Sequence, residues 1–88
     1  MKKSNTSGGL DPYQALANAI VKTAADDYRT VMKRLAKNPE NSIARSSAKD
    51  LRKFFRSQWY SVLTDIDGEY LLGMLDKEFP EVEFPEEE

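Results

Sequence analysis

An all-α fold is predicted for these 88 residues on three observations. Apolar residues recur with the 3.6-residue period of a helix through most of the chain, from Leu16 to Phe79. The periodic runs are bounded by residues that start or stop helices: Asp11-Pro12, Asn38-Pro39, Asp67-Gly68 and Pro80. The link between the first two runs, Asn38 to Ser42, is only a few residues, which makes the two helices antiparallel neighbours. The expected architecture is a long helical hairpin, Pro12 to Lys37 against Ser42 to about Leu63, closed by a short third helix from Gly68 to Phe79.

Residues 1–10 are small and polar except for Leu10 and are expected to form a disordered arm ahead of a single helical domain, 11–79. Asp11 is the natural N-cap of the first helix, and Pro12 sits at its first position, where a missing N–H costs nothing. From Tyr13 the apolar positions Leu16, Ala17, Ile20, Val21, Ala24, Tyr28, Val31, Met32 and Leu35 keep to one face. The far side carries Lys22, Asp26, Arg29, Lys33 and Lys37. Pro39 ends the helix by pushing Asn38 away from helical backbone angles.

Asn41 or Ser42 can cap the second helix. Its apolar stripe is Ala44, Ala48, Leu51, Phe55, Trp59 and Val62, with Phe54 and Leu63 at the edges; the opposite side carries Arg45, Lys49, Arg52, Lys53 and Arg56. Whether the helix breaks at Ser57 is left open by the pattern. On this stripe Trp59 belongs to the core and Tyr60 lies off it, exposed. Trp59→Ala or Leu51→Ala is then expected to unfold so small a core, because a chain of this length buries only about 60% of its unfolded surface. Asp67 caps the third helix, Glu69 suits its positive end, and Leu71, Leu75 and Phe79 form its stripe, flanked by Leu72 and Met74. The tail from Pro80 to Glu88, with five glutamates and two prolines, is expected to be flexible and dispensable for folding.

The segment FFRSQWYSVLTDIDGEYLL, Phe54 to Leu72, resembles a motif of small proteins carried by phages and integrative elements of Gram-positive bacteria: FFRS, then Trp59 and an aromatic, Leu63-Thr64, and Asp67-Gly68-Glu69 followed by Tyr70-Leu71. Asp27-Tyr28-Arg29 and Lys37-Asn38-Pro39 extend the likeness more loosely. The resemblance implies a mobile-element setting and a bacterial cytoplasm; it implies no activity.

There is no cysteine and no histidine, which removes disulfides, the usual zinc sites, thiol nucleophiles and histidine general bases. No stretch reaches the roughly 18 apolar residues of a membrane span. Asp65-x-Asp67-Gly68 is not a calcium loop: with Gly68 at the sixth position, Leu63 and Met74 fall where carboxylate ligands belong. Asp26-Asp27 and Asp65/Asp67 do not read as an acid–base pair, since adjacent helical side chains diverge. No catalytic, cofactor or metal site is expected, and no membrane partner.

The net charge of −2 conceals a segregation: residues 22–56 carry ten Lys or Arg against four acids, and residues 57–88 one Lys against ten. Three readings follow. A protein partner, in the host or the element, could be bound through Tyr60, Glu69, Tyr70, Glu81, Glu83 and Phe84, with the acidic third meeting a basic surface; the phage resemblance adds inhibition of host defence to this reading. Nucleic acid could be bound through Arg45, Lys49, Arg52, Lys53 and Arg56. A homodimer could bury Trp59, Tyr60 or Phe54.

Overall fold

A computed structural model describes residues 12–84; the expected N-terminal arm, the Asp11 cap and the last four residues lie outside them. The described chain is all helical, in the order α1 (Pro12–Lys37), α2 (Ser42–Phe55), α3 (Gln58–Leu63) and α4 (Gly68–Lys77). The 26 residues of α1 span about 39 Å at 1.5 Å per residue. The turn after it is tight: Asn41 N–H donates to Asn38 O at 3.0 Å, Glu40 N–H to Asn38 Oδ1 at 3.1 Å, and Asn41 Oδ1 accepts from Ala44 N–H at 3.0 Å. Asn41, rather than Ser42, is therefore the cap, and α2 runs back along α1 as the short link requires.

The core fills the seam of this hairpin. Tyr28, Val31, Met32 and Leu35 of α1 meet Ala44, Ala48 and Phe55 of α2, and Tyr60, Leu63, Leu72, Leu75 and Phe79 close it from the C-terminal side. The ring of Phe55 is the hub, edge-on to Tyr28 at 6.1 Å, Phe54 at 5.4 Å and Tyr60 at 5.7 Å between centroids. At the start of α1, Tyr13 and Leu16 are exposed, although Leu16 belongs to the expected apolar face.

The second helix does not run on to Leu63. Ser57 adopts extended angles, φ −84° and ψ 160°, and serves as the N-cap of α3: its Oγ accepts from Tyr60 N–H at 3.1 Å and donates to Phe54 O at 2.7 Å. This break resets the helical phase. Tyr60 and Leu63 turn inward, with Tyr60 2% exposed, whereas Trp59 is 58% and Val62 75% exposed. The expected stripe through Trp59 and Val62 thus holds only as far as Phe55, because a 100° step per residue cannot be carried across an extended residue.

After the 64–67 turn, Asp67 Oδ1 accepts from Glu69 N–H at 3.0 Å and opens α4, which returns along α2. Gly68 is needed here for space: a Cβ at this position would lie 1.8 Å from the carbonyl oxygen of Phe55. The buried side of α4 is Leu72 and Leu75, with Leu71 half-buried and Met74 exposed. Glu78 caps the helix, and Phe79, expected as its last residue, is buried one residue past the cap.

Two further expectations are corrected. Arg52, placed on the outer basic side, is 7% exposed. The tail segment 80–84 is tied down rather than free: a turn closed by Val82 N–H to Phe79 O at 3.0 Å brings Val82 and Phe84 onto the core. Phe84 lies under two guanidiniums, Arg52 at 4.3 Å and Arg45 at 5.2 Å from its ring centroid.

Candidate functional site

The charged residues singled out in the sequence are largely spent within the fold. Arg52 Nη1 donates to both carboxylate oxygens of Asp76, at 3.0 and 2.9 Å, and to the Tyr28 hydroxyl at 2.5 Å, which donates to Asp76 Oδ1 at 2.5 Å. Burial, and then the hydrogen bond to Asp76, push the Tyr28 hydroxyl far above its ordinary pKa. This cluster joins α1, α2 and α4, and it accounts for a charged residue in the core: a buried ion is tolerated where its partners are present. Arg29 makes a two-pronged bond to Glu78, at 3.0 and 3.1 Å, which raises the pKa of Arg29 and lowers that of Glu78.

Of the five cations proposed for phosphate, Arg52 is therefore unavailable. Arg45 Nη1 donates to the Glu83 backbone oxygen at 2.8 Å while its guanidinium covers Phe84, and Arg56 pairs with Glu69. Lys49 is half-buried, and Lys53 is exposed. The five do not form one outward stripe.

Of the residues proposed for a protein partner, Tyr70 is 64% exposed, and Glu81 and Glu83 are exposed. Glu69 is exposed but bound to Arg56. The ring of Tyr60 is buried and Phe84 is half-buried, both in intramolecular contacts.

Beside Tyr70 the exposed apolar surface of this end includes residues not proposed for a protein partner from their pattern. Trp59 and Val62, three apart, share the outer side of α3; Ile66 follows in the turn; Tyr70 and Met74, four apart, share the outer side of α4. The signal that could have found Trp59 and Val62 is Ser57 itself, a helix-capping residue inside an apolar run, which implies a phase change after it.

Beside these residues the end of α2, α3 and the start of α4 enclose an open cleft of about 430 Å³, with Phe55, Tyr60 and Ile66 on its walls and Asp65, Asp67, Glu69 and Arg56 among its polar residues. The hydroxyls of Ser57, Ser61 and Thr64 are engaged locally, with Phe54 O, Gln58 O and Ile66 N–H. The Tyr60 hydroxyl is buried with no hydrogen-bond partner among the described residues, and burial, followed by the charge of Asp67, raises its pKa. Among the described residues no cluster of carboxylates is placed to hold a metal ion, and no helix is long and apolar enough to cross a membrane. The chain matches no family model, no curated protein and no solved structure.

Proposed function

We propose that the chain is a non-catalytic interaction protein of a mobile genetic element, which binds a host or element protein through the outer sides of α3 and α4. The observation that carries this reading is the exposure of the chain's single Trp, with Val62, Ile66, Tyr70 and Met74 along the same two elements. Large aromatics are costly to leave in water, and they dominate the energetics of protein interfaces when a partner covers them. The mobile-element and cytoplasmic setting rests on the resemblance of Phe54 to Leu72, and inhibition of a host defence protein is the role that this setting suggests.

Nucleic acid is the weaker alternative, since Arg45, Arg52 and Arg56 are engaged within the fold. A homodimer through the same face is also weaker: Asp65, Asp67 and Glu69 border it, and a two-fold axis would bring like charges together.

The test is capture from a host lysate in which the element is induced, after nuclease treatment, with tagged wild type, Trp59→Asp and Lys49→Glu/Lys53→Glu chains. A partner retained by wild type and the lysine variant and lost by Trp59→Asp is expected. Retention by Trp59→Asp, or loss of all capture on nuclease treatment, would contradict the reading.

A further inference from the structure

We propose that the cleft between α2, α3 and α4 receives a guanidinium side chain from the protein partner, with Asp65, Asp67 and the Tyr60 hydroxyl as its acceptors. This rests on the protein-binding reading above and names what the partner brings to it. Among the described residues three carboxylates and one guanidinium line the cleft, and that guanidinium, Arg56, is held by Glu69. What remains is negative charge on Asp65 and Asp67, and neither makes an ion pair among the described residues.

Tyr60 supplies the independent observation. Its side chain lines the cleft at 2% exposure, and its hydroxyl has no hydrogen-bond partner among the described residues, whereas the neighbouring serine and threonine hydroxyls are all engaged. A buried polar atom without a partner costs about 1–3 kcal/mol and is rare in folded proteins. A guest with several N–H donors relieves that cost.

The shape of the acceptor set favours a guanidinium over other guests. Its planar fork offers five donors to carboxylates, which matches the exposed Asp65 and Asp67. An anion would be repelled by Asp65 and Asp67, and a purely apolar guest would leave the hydroxyl unmet. The acidic excess of residues 57–88 steers a positively charged partner toward this end of the molecule. The partner surface so described is apolar, to cover Trp59 and Val62, with an arginine beside it.

The probe is n-butylguanidinium, titrated into the full ¹⁵N-labelled chain at low ionic strength with n-butylurea as the uncharged control, and read by amide chemical shifts. Saturable shifts confined to residues 55–69 with the guanidinium and absent with the urea are expected. Tyr60→Phe should fold at least as stably as wild type yet bind severalfold more weakly, and Asp65→Asn, at an exposed site, should also bind severalfold more weakly. No localised shifts, equal shifts with the urea, or unchanged binding in both variants would overturn the assignment. Lysate capture through Trp59 does not depend on this titration, so failure of the cleft leaves the protein-binding reading standing, and loss of capture does not mimic failure of the cleft.

Discussion

Gly68 and Gly73 occupy the same ten-residue helix and should respond in opposite ways to one extra methyl. A Cβ at Gly68 would collide with the Phe55 carbonyl, whereas one at Gly73 meets nothing within 4 Å among the described residues. Gly73→Ala is expected to raise stability by about 0.5–1 kcal/mol, the ordinary gain for an exposed helical glycine. Gly68→Ala should lower it by about 2 kcal/mol or more, because backbone must shift to relieve the overlap; urea melts of the two variants decide this. Tyr28 sets a pH limit. Its hydroxyl pKa is raised by folding, so its contribution is intact below the ordinary value of 10.0 and is lost as pH climbs toward the folded value. Stability should therefore fall progressively above pH 10, and Tyr28→Phe should flatten part of that fall, leaving the share of Tyr60, whose pKa is raised in the same sense. Neither the Gly68 contact nor the Arg52–Tyr28–Asp76 cluster was legible in the sequence. Each joins residues far apart in the chain, and one arginine among the five cations of a basic face gives no sign that it turns inward.

At the scale of the helices the sequence was far more informative. The ends of α1 and the start of α2 fall where Pro12, Pro39 and Asn41 put them, and α4 begins at Gly68 behind its Asp67 cap, because these signals act through the local backbone alone. The inward face of the last two turns before Thr64 was not legible, since it hangs on whether one residue, Ser57, is helical. With Ser57 extended, Tyr60 rather than Trp59 enters the core, and the consequences are opposite to those of an unbroken helix. Trp59→Ala is expected to keep its helicity and change stability by less than about 1 kcal/mol. Ser57→Ala, which removes the cap of α3, should cost about 1 kcal/mol. Circular dichroism with thermal melts checks both.

For the whole molecule, the charge segregation legible in the sequence is used first to close the fold on itself. Arg29 meets Glu78, Arg52 meets Asp76, Arg56 meets Glu69, and Arg45 reaches the backbone of Glu83, so cations of the hairpin are matched to the C-terminal third. Around α3 and the start of α4, Asp65 and Asp67 stay exposed beside Trp59, Val62, Ile66 and Tyr70. The tail shares in this closure: ending the chain after Pro80 removes Val82 and Phe84 from the core and should cost about 2 kcal/mol, or roughly 10 °C in Tm for a domain of this size. Its glutamates and prolines suggest a mobile end, and the two apolar residues between them are the feature that decides otherwise. The outward orientation of the single Trp follows from the phase change at Ser57 and is the premise of the proposed protein-binding face. Acrylamide quenching of Trp59 fluorescence in the isolated chain reads it directly: quenching close to that of a free indole is expected, and a blue-shifted emission that acrylamide barely reaches would contradict it.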